Sequence, residues 1–267
     1  MGEREAIERS DEPVTVDRLR SDLRTLALEP GDTVLVHCSL SALGWVSGGA
    51  PAVVDSLQEV LTEAGTLAMP THSTQLSDPA RWENPPVPDF WIERIRETAP
   101  PFRAPVTPTR TMGAVAECFR GYPEVVRSDH PTHSVAVWGS ESERVVSEHP
   151  LDRPHGEDSP LATLSDLDSK VLRLGVTANT SLHLAENRAA NARYGENGAP
   201  VLVDGEREWA TFEEIESEDD FRALETDFER ERPGAVRRGP VGEAEATLCE
   251  MRPLVEFGAE WFEENRD

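Results

Sequence analysis

The sequence predicts an α/β protein: a layered α/β/α fold with a mixed sheet and an antiparallel carboxyl-terminal part from about residue 200, in one domain over residues 1–267. Three observations predict it. Apolar runs of strand length recur at Thr33-Val34-Leu35-Val36, Thr66-Leu67-Ala68-Met69, Ser134 to Trp138 and Val171-Leu172-Arg173-Leu174-Gly175-Val176, interleaved with sequence of helical character. After Pro200 that alternation gives way to paired strand-like runs. At 267 residues the chain is long enough to bury a substantial core.

In chain order, Val16, Leu19, Leu23 and Leu26 mark an amphipathic first helix behind a Thr15 cap. Thr33 to Val36 is a strand, Pro51 to Leu61 a helix with proline at its start, and Thr66 to Met69 a second buried strand. Strand, helix, strand at that spacing predicts a parallel pair. Pro70 to Asp89 is a long loop rich in proline and polar residues, and loops of that length commonly carry function. Phe90 to Thr98 reads as a helix, and a second proline-rich passage, Pro100 to Pro108, leads to a short helix from about Thr111 to Phe119. The strands at Ser134 and Val171 follow. Val201 to Gly205 and Trp209 to Phe212 then suggest a hairpin, Asp219 to Arg230 an acidic helix, Gly234 to Met251 further antiparallel strand, and Phe257 to Glu264 a final helix.

Charge dominates the composition. There are 51 acidic and 26 basic residues, for a net charge of −25, and Lys170 is the only lysine. Such a surface suits a salt-accumulating cytoplasm, where molar salt shortens the Debye length to about 3 Å and screens self-repulsion. Apolar residues at 37% and six tryptophans argue against a disordered acidic chain, and nucleic acid is a poor partner for so negative a surface. The segment Met1 to Pro13 is charged and resembles no signal or transit peptide, and no apolar run approaches a bilayer span, so a cytoplasmic protein without a membrane partner is expected. Cys38, Cys118 and Cys249 are odd in number and scattered, which argues against a disulfide framework or a CxxC metal site.

The segment Asn179-Thr180-Ser181-Leu182-His183-Leu184-Ala185-Glu186 follows the apolar run ending at Val176, so a strand delivers a histidine onto the first turns of a helix. Glu186 lies at i+3 from His183 and shares its face, where it can fix the tautomer of a general base. The same eight residues also suit a histidine hydrogen-bonded at the edge of a core. His37-Cys38-Ser39-Leu40-Ser41-Ala42-Leu43-Gly44 through Gly48 and Gly49 supplies hydroxyls and open backbone at a helix entrance, which suits an anionic group as well as a tight connection. It is neither a Walker A loop nor a GxGxxG fingerprint. Thr107-Pro108-Thr109-Arg110-Thr111-Met112-Gly113 places an arginine at a helix start, available to a cofactor phosphate or to a surface carboxylate. In Gly156-Glu157-Asp158-Ser159-Pro160-Leu161, the acids could orient His183 or meet a cation, or Asp158 or Ser159 could cap the helix. His130 and His133, with His149 and His155, do not match HExxH zinc spacing, and no Gly-x-Ser-x-Gly elbow marks a serine hydrolase.

In order along the chain, His37 to Gly44, Met69-Pro70-Thr71-His72-Ser73, Ser77-Asp78-Pro79-Ala80, Thr107 to Gly113, His130-Pro131, Gly156 to Leu161 and Asn179 to Glu186 resemble the aminoglycoside 3-N-acetyltransferase family from about Val16 to Phe262. The resemblance implies a fold distinct from that of the common acetyl-CoA-dependent N-acetyltransferases. It implies acetyl transfer from acetyl-CoA to a small-molecule amine, that of an aminoglycoside at the 3-N position or a related amine, without a metal or an acetyl-enzyme. On that resemblance His183 is the general base, oriented by Glu186 or Asp158, and Thr109 is the candidate oxyanion donor. Acetyl-CoA would lie against His37, Cys38, Ser39, Leu40, Ser41, Gly44, Gly48, Gly49, Thr107, Thr109, Arg110, Met112 and Gly113. His72, Asp78, Trp82, Glu157, Asp158 and Glu186 would face the acceptor. Cys38 stands where the family usually has serine, and acidity that covers the whole chain does not single out a polycationic acceptor. Two other classes stay open at this point: a non-catalytic homologue that binds CoA or a cationic ligand, and a serine or zinc hydrolase.

Overall fold

The computed structural model describes residues 3–266; Met1, Gly2 and Asp267, which the expected single domain includes, lie outside them. A short helix α1 (Glu3–Arg9) precedes α2 (Val16–Thr25), where the Thr15 side chain accepts a hydrogen bond from the Arg18 N–H as the cap. Strand β1 (Thr33–Cys38) and helix α3 (Gly49–Leu61) lead to β2 (Thr66–Pro70), buried along its whole length. The long loop that follows holds α4 (Asp89–Thr98) and ends at α5 (Gly113–Phe119). Then come β3 (Val126–Arg127), β4 (Val135–Gly139), α6 (Ser142–Val146), α7 (Pro160–Asp166), β5 (Lys170–Leu174) and α8 (Leu182–Arg188). The chain finishes through β6 (Tyr194–Val203), β7 (Glu206–Ile215), α9 (Phe221–Glu231), β8 (Val236–Val241), β9 (Ala244–Glu250) and α10 (Met251–Asn265).

Seven strands form one mixed sheet in the order β3-β4-β2-β1-β5-β9-β8. The central trio β2, β1 and β5 is parallel, and β4, β3, β9 and β8 extend it antiparallel on both sides. Period-two alternation divides the core. Val34, Val36, Leu67 and Leu172 pack under α2, α3 and α5, while Leu35, Ala68, Val137 and Val171 pack under α7, α8 and α10. The result is the expected three-layered α/β/α arrangement. β6 and β7 form a separate two-stranded ribbon, paired from Tyr194↔Ile215 to Val203↔Glu206.

This topology locates a site. Helix α3 leaves β1 on one face of the sheet and α8 leaves β5 on the other, so a crevice opens outside the carboxyl ends of these two neighbouring strands, where ligands bind in open α/β sheets. Boundaries differ from those read off the sequence: the hairpin expected at Val201 to Phe212 spans Tyr194 to Ile215. α10 starts at Met251 rather than Phe257, because Met251, Leu254 and Val255 are buried and Pro253 sits within the first turn, where proline costs no hydrogen bond. The run from Gly234 to Met251 is two strands, folded back on each other at Gly242. Helix α1 has no counterpart in the sequence reading; the helical sequence expected after Trp138 is α6, five residues long and burying only Val145.

Candidate active site

His183 occupies the first turn of α8, and its Nδ1 lies 2.7 Å from Oε2 of Glu186, one turn on. The Ser217 hydroxyl, on the segment after β7, donates to the same oxygen at 2.6 Å and lies 3.1 Å from Nδ1. The other carboxylate oxygen accepts from Nη1 of Arg266 at 2.8 Å. Arg266 is held in turn by Asp220, at 2.7 Å from Nε and 2.5 Å from Nη2, and its guanidinium lies 3.9 Å from the Phe262 ring centroid. Glu186 is only 1% exposed. Burial pushes its carboxyl up, but the hydrogen bonds and charge from His183, Ser217 and Arg266 outweigh burial and hold it below the ordinary carboxylate value. An ionised carboxylate only accepts hydrogen bonds, so Nδ1 carries the imidazole proton and Nε2 is left as the basic nitrogen.

Six of the seven histidines stand in one continuous run of ring contacts. His183 stacks on His155 at 4.8 Å and 13°, His155 meets His133 at 4.7 Å and His72 at 5.7 Å, and His130 joins His133 to His149. Desolvation pushes the His72 imidazole down to about 3 and His130 to about 4, and holds His133, His149 and His155 well below their ordinary value, so these rings are neutral. Glu214 of β7 reaches into the cluster, with Oε2 3.8 Å from His133 Nε2. That oxygen, His72 Nε2 and His155 Nε2 are buried without a hydrogen-bond partner. Burial pushes the Glu214 carboxyl up, with Asn197, Arg81 and His183 opposing it. Three orphaned polar atoms in one buried cluster are what a polar ligand with several donors and acceptors would satisfy. Among the described residues no three His, Cys, Asp or Glu side chains are placed to hold a metal ion.

A groove of about 430 Å³ runs between the β1–α3 loop and the start of α5, lined by Ser39, Leu40, Ser41, Gly44, Gly49 and Gly113. Gly44 has φ +90°, and a Cβ there would come within 2.5 Å of the Glu243 carboxylate. Gly113, at φ +84°, would place a Cβ 3.1 Å from the Cys38 carbonyl oxygen, so both loops approach with no side chain between them. Gly48 stands at the cap of α3, outside the groove lining. Burial pushes the Cys38 thiol up to about 12, which keeps it protonated. Thr107 is buried and its hydroxyl accepts from the Arg103 N–H at 2.9 Å, while Met112 packs on the core. Arg110 carries no ion pair among the described residues and lies 5.6 Å from the centroid of the Trp82 ring, whose Nε1 donates to Ser77.

Several expected site residues are already engaged. The Thr109 N–H and hydroxyl both donate to Oε2 of Glu117, at 2.8 and 2.7 Å, so the hydroxyl proton is not free for an oxyanion. Arg120 first, then the Thr109 bonds, hold the Glu117 carboxyl down to about 2, which makes it a persistent acceptor. Asp158 is exposed and makes no hydrogen bond or ion pair among the described residues; Ser159 caps α7, and Glu186 rather than Asp158 meets the imidazole. Glu157 forms a bidentate pair with Arg188 at 2.8 and 2.9 Å, and Asp78 pairs with Arg96 at 3.1 and 2.7 Å. Ser217, Asp220, Arg266 and Glu214 went unseen in the sequence, because each reaches the site by tertiary packing and none stands in a motif.

Residues 35–263 match the family model described as aminoglycoside 3-N-acetyltransferase. The chain belongs to that family. Among its relatives, the SPbeta prophage-derived aminoglycoside N(3')-acetyltransferase-like protein YokD of Bacillus subtilis (strain 168) is 43% identical over 97% of this chain and 96% of its own length. Aminoglycoside N(3)-acetyltransferase VII of Streptomyces paromomycinus is 38% identical over 99% and 96%. The crystal structure of B. subtilis YokD superposes with a TM-score of 0.95, at 41% identity and 98% coverage of both chains. The structure of AAC-IIIb in a binary complex with CoASH gives 0.82 at 29% identity, covering 95% of this chain and 97% of its own. As an aminoglycoside 3-N-acetyltransferase family member, the chain is an acyltransferase whose cosubstrate is acetyl-CoA.

Proposed function

We propose that the chain transfers the acetyl group of acetyl-CoA directly to an amine of an aminoglycoside-type acceptor, with His183 as the general base. The observation that carries this is the 2.7 Å bond from His183 to a buried, ionised Glu186, which fixes the imidazole with its basic Nε2 free. The amine nitrogen attacks the thioester carbon and its proton passes to Nε2. The tetrahedral intermediate then collapses with cleavage of the C–S bond, and the departing CoA thiolate takes up that proton. The groove at Ser39 to Gly49 and Gly113 would hold the cofactor, with Arg110 as its cation. The cluster of His72, His133, His155 and Glu214 would meet the acceptor beside His183, its orphaned carboxylate oxygen suited to an ammonium group. The proposal includes a cytoplasmic protein whose net charge of −25 repels nucleic acid. Among the described residues no helix is long and apolar enough to cross a membrane.

The test is thiol release from acetyl-CoA across a panel of aminoglycosides, with His183→Ala as the control. Wild-type release should depend on the amine, and the variant should still bind acetyl-CoA while turnover falls by about 100- to 10,000-fold. Wild-type turnover in the variant would remove His183 from the mechanism. Binding without turnover on every amine would make the chain a ligand-binding member of its family.

A further inference from the structure

His37 is 6% exposed and stands at the carboxyl end of β1, opposite Arg173 of β5 in register and two residues before Ser39 of the cofactor groove. Its Nε2 accepts from the backbone N–H of Thr180 at 2.9 Å, with the Thr180 hydroxyl at the same distance. Accepting from an amide requires a lone pair on Nε2, so a neutral ring carries its proton on Nδ1. Burial first, then the positive charges of Arg173 and of His183 when protonated, push this imidazole down to about 3 and keep it neutral. Nδ1 is buried and has no hydrogen-bond partner. The ring is thus a neutral donor with its proton unspent, anchored through Thr180, three residues from the base in sequence, and standing two residues before the first groove residue, Ser39. The acetyl-transfer reading needs such a donor, because the carbonyl oxygen becomes an oxyanion in the tetrahedral intermediate, and the Thr109 proton is committed to Glu117.

We propose that the Nδ1–H of His37 donates to the carbonyl oxygen of the bound acetyl thioester and stabilises the oxyanion that forms there. This inference rests on the acetyl-transfer reading above. No proton is transferred through His37: its hydrogen bond shortens as charge builds on oxygen and relaxes when the C–S bond breaks, and the amine proton goes to His183. A neutral imidazole suits this task, since an imidazolium would surrender its proton to the oxyanion and a backbone-anchored ring needs no reorganisation.

The test separates a donor at Nδ1 from a ring that merely holds Thr180. His37→Asn puts an amide N–H near the Nδ1 position and loses the Thr180 contact, His37→Gln reaches the Nε2 position instead, and His37→Leu offers neither. Turnover should fall by about 100- to 1,000-fold in the leucine variant, with acetyl-CoA affinity unchanged, and should recover more in Asn than in Gln. Recovery in Gln alone would overturn the proposal in favour of a structural role. Infrared difference spectra of [1-13C]acetyl-CoA bound without an acceptor give an independent reading that does not depend on turnover or on His183. The thioester band on the wild-type protein should lie below its frequency in an aprotic solvent, and should return upward in His37→Leu. A wild-type band at the aprotic frequency would overturn the proposal even if no variant folds. A shifted band with no turnover on any amine would instead refute the acetyl-transfer reading while leaving the His37 contact in place.

Discussion

Arg266→Ala tests whether the base is built from the end of the chain as well as from α8. The substitution removes the donor to Oε1 of Glu186 and at the same time the only cation held by Asp220 among the described residues. The Arg266 side chain is 11% exposed and that of Glu186 is not exposed at all, so solvent cannot replace the lost bond cheaply. Breaking a buried pair by deleting one partner costs about 3–5 kcal/mol. Glu186 retains His183 and Ser217, and Asp220 is 22% exposed, which places the expected loss near the lower end, about 3 kcal/mol. The pH dependence carries a definite sign. Because the folded chain holds the Glu186 carboxyl below its ordinary value, its stabilisation is complete above the unfolded-state value of about 4.3 and is lost as pH falls through the lower folded value. Arg266→Ala shrinks that depression, so the stability gap between wild type and variant should be widest at neutral pH and should narrow below about pH 4.

Activity gives a second reading of the same variant. A carboxylate held by two donors instead of three lets the imidazole wander, and a misplacement of about 1 Å can cost up to about 100-fold in turnover. The fall should appear in kcat with both KM values little changed, and Arg266→Lys should restore part of it. Urea unfolding at several pH values together with steady-state kinetics would check both parts. A stability change below about 1 kcal/mol with unaltered kcat would show that Arg266 is an ordinary surface cation and that Glu186 needs only α8 and Ser217.

Two further predictions follow from charge. Arg110→Ala should weaken acetyl-CoA by about 10- to 100-fold, the worth of a charge-assisted bond, and should barely affect a truncated thioester lacking the phosphates; equal weakening of both, measured by calorimetry, would show that the arginine acts through its packing on Trp82. The unfolding midpoint should rise as potassium chloride increases from about 0.1 to about 1 M, because the Debye length falls from about 10 to about 3 Å and the net charge of −25 ceases to repel itself; a flat or falling midpoint would sink the reading of the acidity as an adaptation to salt.

What was legible in the sequence is what local geometry determines. His183 and Glu186 lie one helical turn apart, so their meeting needed only the prediction that Leu182 onward is helical, and the cap at Thr15 and the ribbon of β6 and β7 were equally local. The groove glycines were legible for the same reason, since a βα connection with open backbone reads as such wherever it occurs. Thr109 shows where this reasoning ends: its hydroxyl was assigned by place in a motif, yet Glu117 sits eight residues on, where α5 turns it back to take the proton. Arg266 and Glu214 show it more strongly. Neither stands in a recognisable pattern, and in a chain with 51 acidic residues another glutamate carries no signal until the fold buries it without a partner. Burial, which decides whether a carboxylate is a solvated surface group or a site, is a property of the assembled layers. The seven histidines illustrate the same point from the other side: they are scattered from His37 to His183 in sequence, and six join in one run of rings because β2 ends, and β4 and α8 begin, at the same end of the sheet. A group that is chemically versatile and sparse in composition, yet gathered by topology at the carboxyl ends of parallel strands, points to a candidate site that no single motif would have located.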